Sequence, residues 1–248
     1  MSGSQNLGFW EEFARSLGLA EIRTSMLPLY CSYSSLTVVP AMVQTIAIGN
    51  LSLPELEEKQ NLQLADEPGF FPEWHQDLPR LLDDERQLID HVQQGYFDQI
   101  RNRQISEGLI KLVIVSPLLY LAGFYRRPFE VKLEESVELT LEDGSEVWRG
   151  RIDALVIQEQ LWVLVVESKA SAFGVDAALP QALGYMLTNP NPARPTYGLI
   201  TNGGSFLFLK LVHAPQPRYA VSDVLLLLPG RNCLYQVLQV LKAIGQNL

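Results

Sequence analysis

Cysteine is scarce in this sequence, and its two copies show no motif. Only Cys31 and Cys233 occur among the 248 residues, and their distant positions match no metal-binding spacing. Both lie among apolar residues, so the sequence predicts two buried free thiols in a reducing compartment. A metal bound by cysteines is therefore not expected.

A secretory leader and a long hydrophobic run are also missing. The first residues, MSGSQNLGFWEEFARSLG, are polar and acidic, whereas a signal peptide is basic and then apolar. The most apolar helical stretch, residues 109–124, contains Lys111 and Pro117 and is short for a membrane span. We therefore expect a cytoplasmic protein with no membrane partner.

Positive charge is in deficit over the whole chain. The 28 acidic residues outnumber the 19 lysines and arginines, which gives a formal net charge of −9. Proteins that coat nucleic acid need surplus positive charge for the phosphates, so this balance opposes that class. A locally basic groove on an acidic body remains open, and the segments YRRPFEVK and RNRQ contain arginines for part of one.

The remaining composition predicts an α/β protein. Hydrophobic residues make up 47% of the chain and charged residues 19%, as in globular domains with a sizeable core. We assign residues 1–100 to a mainly helical or irregular N-terminal extension and residues 101–248 to one domain. Within that domain the patterns run helix, three or four strands, helix, strands, helix, which indicates a central sheet flanked by helices. Local signals predict an N-cap at Ser106, a kink or helix end at Pro117, a helix start near Pro180, a hairpin at Gly203–Gly204 and a final strand over VSDVLLLLP. Near the N-terminus, FWEEFARSLGLAEI predicts a helix. No Walker-type nucleotide-binding motif and no internal repeat occur.

Charged side chains interrupt two otherwise apolar strand patterns, IDALVI and LWVLVVESK. Side chains alternate between the faces of a strand, so Glu167 and Lys169 share one face. If residues 158–160 form a three-residue loop, Ile157 pairs with Leu161 and Asp153 lies diagonally from Glu167 on that face. A two-residue loop without a bulge would place Asp153 on the opposite face.

Two carboxylates and an ammonium at one end of a sheet are suited to phosphate chemistry. Carboxylate oxygens are the hard ligands that Mg²⁺ prefers, and Mn²⁺ accepts the same donors. The alternative without a functional role is that Glu167 and Lys169 face solvent at a strand end and that Asp153 is a turn residue. Against it, the apolar flanks would leave these acids partly buried, which costs free energy unless they have a ligand or partner.

The arrangement R-x-D followed by E-x-K on adjacent strands resembles the PD-(D/E)-x-K nuclease superfamily. The nearest likeness is to the N-terminal nuclease domain of type I restriction enzyme R subunits and to its stand-alone relatives, over roughly residues 105–210. PQALGYM is similar to that family's Q-x-x-x-Y element, and LITNGG to its T-N-G strand end. ISEGLIKLVIVSPLLYLAGF resembles its leading helix, whose early glutamate reaches the metal. The resemblance implies a restriction-endonuclease-like core.

The resemblance also implies roles for individual residues. The catalytic set is Asp153, Glu167, Lys169 and Gln181; the metal ligands are Asp153, Glu167, the backbone carbonyl of Ser168, and Glu107; the substrate-binding set is Gln181, Tyr185 and Arg151. The cofactor would be Mg²⁺, with Mn²⁺ as a substitute. The substrate would be DNA in a restriction-modification context, with a partner protein or a second copy of the chain as a further partner.

Several of these residues also have ordinary explanations. Gln181 is equally a surface amide at the start of a helix, and Tyr185 a core aromatic. Glu107 suits any helix N-terminus, where the dipole favours an acid. Two other functions therefore stay open: a catalytically silent nuclease-fold module that binds or assembles with proteins, and an unrelated α/β protein with Asp153 and Glu167 on opposite faces.

Overall fold

The structure is a computed structural model that describes residues 44–101, 104–141, 145–158, 161–168, 174–191 and 193–246. Cys31 and Lys169 lie outside these residues, and so does the helix predicted near the N-terminus. None of the helices in the described ranges is long and apolar enough to span a membrane.

A mixed sheet of nine strands organises the described residues. The strands are β1 (Gln44–Ala47), β2 (Gln63–Leu64), β3 (Phe129–Thr140), β4 (Glu146–Gln158), β5 (Leu161–Ser168), β6 (Thr196–Thr201), β7 (Ser205–Val212), β8 (Arg218–Val221) and β9 (Leu225–Leu226). Their order is β1-β4-β5-β6-β7-β8-β2, with β3 on β4 and β9 on β7. The β5–β6 pair is parallel, and the β4–β5 and β6–β7 pairs are antiparallel.

Helices flank this sheet and pack into two hydrophobic clusters. The α-helices are α1 (Leu53–Gln60), α2 (Asp83–Ile100), α3 (Glu107–Ile110), α4 (Ser116–Leu121), α5 (Leu179–Leu187) and α6 (Leu234–Gln246). The first cluster contains buried residues of α2, α3, α4 and α6, and the second contains those of α1 and α5. The predicted α/β class, a mixed sheet with helices around it, is therefore confirmed.

Local sequence signals mark several of these boundaries. Ser106 caps α3 by accepting a hydrogen bond from the Leu109 N–H at 3.3 Å. Pro180 occupies the first turn of α5, where its missing N–H costs nothing. Gly123 follows α4 with φ 89°, a left-handed conformation that glycine adopts without strain. The predicted final strand over VSDVLLLLP is wrong in extent, because β8 ends at Val221 and only two residues of this segment form β9.

One turn of π-helix, Lys111–Val115, joins α3 to α4. The Ser116 N–H bonds to the Lys111 carbonyl, five residues back. Pro117 follows at the start of α4 and has no N–H to bond to the carbonyl four residues earlier. The predicted disturbance at Pro117 is confirmed, and it takes the form of a π turn that begins at Lys111.

Residues 44–100 join the same sheet and core as the residues after them. Strand β1 pairs with β4 in parallel, and β2 pairs with β8 in parallel. Ile89 and Tyr96 of α2 are buried in the first cluster. Contacts group residues 41–248 into one compact unit. The extension assigned to residues 1–100 thus supplies, over its described part, two strands and two α-helices that contribute buried residues to the clusters.

Cys233 is a buried free thiol, as the sequence predicts. Burial raises the pKa of the Cys233 thiol to about 12, so the group stays protonated at neutral pH.

His213 is expected to make stability depend on pH. Its Nε2 is buried without a hydrogen-bond partner among the described residues, and burial lowers the pKa of His213 below the ordinary 6.5. Between the lowered and the ordinary pKa, the unfolded chain therefore binds a proton that the folded chain excludes. The free energy of unfolding, measured by urea titration, should fall as the pH decreases below about 6.5. The variant His213→Gln should show a shallower pH slope; an unchanged slope would contradict this role.

Candidate functional site

The register of the β4–β5 hairpin decides whether the two predicted acids meet. Gln158 pairs with Leu161, so only two residues connect the strands, and the predicted pairing of Ile157 with Leu161 is wrong. A β-bulge next to Ile157 shifts the register by one further residue in the same direction.

Beyond the bulge the ladder pairs Val156 with Leu164, Leu155 with Val165 and Ala154 with Val166, and it ends there. Asp153 and Glu167 are the next residues of the two strands, so they lie at neighbouring positions one step past the last pair. That the two acids share a face stays a prediction.

The backbone is irregular at the level of Asp153. On the other side of β4, the pairing with β3 includes Leu133 with Ala154 and Glu135 with Ile152, but omits Glu134 and Asp153 between them. Glu134 has φ 56°, a left-handed conformation that is strained for a residue with a side chain. Such local strain concentrates at functional sites, where it aims a side chain.

Lys111 of the π turn lies between the carboxylates of Asp153 and Glu134 at this irregularity. Its Nζ donates to Asp153 Oδ1 at 3.0 Å and to Glu134 Oε1 at 2.9 Å. Partial desolvation acts to lower the pKa of Lys111, but the hydrogen bonds and charges of Glu134 and Asp153 outweigh it, so the pKa is raised. Arg151 Nε contacts the other Glu134 oxygen at 2.8 Å. The result is a connected network of two acids and two bases.

Glu167 lies deeper than Asp153. Only 3% of Glu167 is exposed, whereas the Asp153 side chain is 14% exposed. Strand β6 covers one side of it, because Glu167 pairs in parallel register with the fully buried Ile200. A carboxylate placed there requires compensating interactions, which a protein partner or a cation can supply.

The Q-x-x-x-Y element forms a hydrogen-bonded pair above β4. Gln181 Nε2 donates to the Tyr185 hydroxyl at 2.8 Å, one turn along α5. The Tyr185 ring packs on Gly150, where an added Cβ would lie 2.4 Å from the ring. Gly150 is three residues before Asp153 on the same strand, so α5 lies close over this part of β4.

The T-N-G sequence is a tight turn at the end of β6. Thr201 Oγ1 accepts from the Gly203 N–H at 3.0 Å, and Asn202 Oδ1 accepts from the N–H groups of Gly204 and Ser205 at 3.1 and 2.8 Å. Gly203 has φ 84°, and Tyr96 and Ile110 pack against it. The predicted hairpin at Gly203–Gly204 is confirmed.

Two more predicted site residues lie around the network. Glu107 begins α3, and the Lys111 N–H bonds to its carbonyl, so the two side chains lie one turn apart on one helical face. Arg151 is 67% exposed and is held by Glu134. The exposed position of Arg151 suits a phosphate contact, whereas the burial of Tyr185, 3% exposed, is that of a core aromatic.

The donor set fits a magnesium-type cation with few protein ligands. No group of three or more His, Cys, Asp or Glu side chains in the described ranges is arranged to hold a metal ion. A cation bound at Asp153 and Glu167 would therefore rely on two carboxylates, the neighbouring carbonyl of Ser168 and water. Mg²⁺ commonly binds proteins through one or two carboxylates and retains its waters, so these residues fit it. Glu107 as a further ligand stays a prediction.

Sequence reasoning missed Lys111 and Glu134. The helical spacing could have indicated Lys111, since it follows Glu107 by one turn. Nothing local indicated Glu134, which is one of several acids on an alternating strand and is set apart only by its left-handed backbone.

Comparisons with known proteins find little similarity. No family model matches the chain, and no curated protein matches it. Among solved structures, one similar fragment is described as a putative HsdR subunit of a type I restriction enzyme from Vibrio vulnificus YJ016. The match has 22% sequence identity and a TM-score of 0.33, and it covers 43% of this chain and 21% of that one. The similarity thus spans about a fifth of the other protein, and this TM-score does not establish a shared fold.

Proposed function

We propose that this protein is a Mg²⁺-dependent nuclease that hydrolyses phosphodiester bonds of DNA. The observation that carries the proposal is the β4–β5 register, which brings Asp153 and Glu167 to neighbouring positions one step past the last ladder pair, Ala154 with Val166. Two acids at the ends of adjacent strands, one of them nearly inaccessible to solvent, would form a site for a hard divalent cation. The sequence resemblance to PD-(D/E)-x-K nucleases assigns the same two positions to the metal.

The residues around this pair have distinct tasks. Asp153, Glu167 and the Ser168 carbonyl would hold the metal, with Glu107 as a further ligand. A bound Mg²⁺ would supply Lewis-acid chemistry, polarising a phosphate oxygen and making a water more acidic. Lys169 would position the attacking water and stabilise the negative charge that develops on the phosphate. Gln181, held by its hydrogen bond to Tyr185, orients the Lys169 ammonium or the DNA backbone.

Exposed arginines supply positive charge for the DNA on this acidic protein. Arg126 and Arg127 are exposed just before β3, and Arg151 is exposed on β4 beside the acid pair. Phosphate contacts by a few arginines are enough to orient a duplex or a single strand. We expect weak, strongly salt-dependent DNA binding, because so few contacts act against a net charge of −9.

A cleavage assay tests the proposal. Purified protein is incubated with plasmid, single-stranded DNA and RNA in Mg²⁺, in Mn²⁺ and in EDTA, alongside Lys169→Ala prepared identically. We expect metal-dependent cleavage of DNA that EDTA and Lys169→Ala abolish. Equal cleavage by the wild type and the variant would show that a contaminant is responsible and would overturn the assignment.

A silent nuclease-fold module is the second candidate, and one observation favours it. The Lys111 ammonium already lies 3.0 Å from Asp153, the position a metal would share. A protein whose own cation permanently neutralises the acid pair would bind partners without cleaving DNA. It would show neither cleavage nor any increase of melting temperature in millimolar Mg²⁺ or Mn²⁺.

A further inference from the structure

The network at Asp153 joins one ammonium to two carboxylates of unequal exposure. Asp153 is mostly buried, with 14% of its side chain exposed, while Glu134 is 45% exposed and Lys111 25%. Glu134 contacts Arg151 as well, but it is not among the proposed metal ligands. Lys111 is therefore shared between a proposed metal ligand and a more accessible acid beside it.

We propose that Lys111 is a tethered cation that competes with the divalent metal for Asp153, and that Glu134 retains the ammonium when the metal binds. The inference rests on the proposed function, since it names the regulation of the same metal site. A divalent cation and an ammonium at one carboxylate repel each other, so each weakens the binding of the other. Metal binding should therefore lengthen the 3.0 Å contact between Lys111 and Asp153, while the 2.9 Å contact to Glu134 persists.

The helix that carries Lys111 keeps its ammonium within reach of both acids. Ile110 and Ile114, on either side of it, are fully buried in the first cluster. The π turn that begins at Lys111 fixes the backbone through the Ser116 to Lys111 hydrogen bond. The side chain can therefore move between Asp153 and Glu134 by rotamer changes, without displacement of the helix.

The charges around Lys111 indicate how metal binding would change the attraction of DNA to these residues. Within the contacting network, the two negative charges of Asp153 and Glu134 balance the two positive charges of Lys111 and Arg151. A divalent cation adds two positive charges to this set. DNA phosphates are therefore attracted more strongly after the metal has bound, so metal loading favours substrate binding.

Isothermal titration calorimetry of the full chain with Mn²⁺ alone tests the competition. Lys111→Met removes the ammonium and keeps a good helix former. Lys132→Met is the matched control, because it removes one positive charge from the same strand as Glu134, at a side chain that pairs with Glu135 instead. We expect Lys111→Met to bind Mn²⁺ about fivefold more tightly than wild type, as loss of a competing ion pair worth about 1 kcal/mol would produce. Lys132→Met should stay within about twofold.

Glu134→Gln supplies the second half of the test. With the accessible acid gone, Lys111 stays with Asp153, so Mn²⁺ should bind more weakly than to wild type. In the Lys111→Met background the same substitution should have a clearly smaller effect, because only the general loss of charge remains. Melting curves without metal establish that each variant is folded.

The outcomes separate this inference from the proposed function. Tighter binding by Lys111→Met than by Lys132→Met supports the competition, even where the wild type shows no Mn²⁺ binding at all. If the wild type binds Mn²⁺ and Asp153→Asn does not, but Lys111→Met binds no more tightly than wild type, the metal site stands and the competition is overturned. If neither wild type nor Lys111→Met binds Mn²⁺, the proposed metal-dependent function fails and the competition with it.

Discussion

Asp153→Asn is expected to lower the rate of DNA cleavage by about a hundredfold or more. Losing one preorganised electrostatic contact to a reaction centre costs enzymes on the order of 10²–10³ in rate. The substitution keeps the shape of the side chain, and the Asn oxygen can still accept the Lys111 hydrogen bond, so the fold should survive. Single-turnover cleavage of a labelled duplex in saturating Mn²⁺ measures the effect.

A neighbouring acid supplies the matched control for this substitution. Glu138 lies on β3 and pairs with Arg149, and both side chains are at least half exposed. Glu138→Gln therefore makes the same charge change on the same sheet outside the acid pair, and it should leave the rate within about twofold. Full activity of Asp153→Asn in a preparation free of contaminating nuclease would show that this carboxylate does not hold the metal.

Lys210→Met is expected to cause the largest loss of stability. Lys210 is 8% exposed, and its Nζ contacts Glu73 Oε1 at 2.7 Å, next to the rings of Phe70 and Tyr197. Burial raises the pKa of Tyr197, helped by the hydrogen bond of its hydroxyl to Glu73, so this neighbour stays neutral and cannot replace the lysine. Removing one partner from a buried pair costs about 3–5 kcal/mol, because the remaining charge is left uncompensated.

Urea unfolding of three variants separates this effect from general charge loss. Arg149→Met breaks the exposed pair with Glu138 and should change the free energy of unfolding by less than about 1 kcal/mol. The double variant Lys210→Met with Glu73→Gln should be more stable than Lys210→Met alone, because no unpaired charge remains buried. Equal losses for Lys210→Met and Arg149→Met would contradict the importance of the buried pair.

Local chemistry predicted those parts of the fold that depend on a few adjacent residues. The cap at Ser106, the helix start at Pro180 and the turn at Gly203 each follow from a residue that favours one backbone conformation. The alternation of apolar and polar residues along a strand likewise predicts which of its faces is buried. These features need no knowledge of what packs against them.

The site itself required tertiary information that the sequence carries only weakly. The predicted loop length was wrong, and the bulge beside Ile157 shifts the register by one further residue, so the relative positions of Asp153 and Glu167 could not be counted from the loop. A bulge depends on the packing of both strands, and no residue type marks it here. Lys111 and Asp153 are 42 positions apart, so their contact emerges only when the helix packs on the sheet.

Anomalous diffraction from crystals soaked in Mn²⁺ shows whether Asp153 and Glu167 jointly hold a divalent cation. We expect a single strong anomalous peak between the two carboxylates, about 2.1–2.2 Å from an oxygen of each, and the loss of that peak in Asp153→Asn crystals. Lys111 should then contact Glu134 alone. A well-ordered pair of carboxylates with no peak between them at saturating Mn²⁺, and with Lys111 still on Asp153, would show that the two acids do not share a metal.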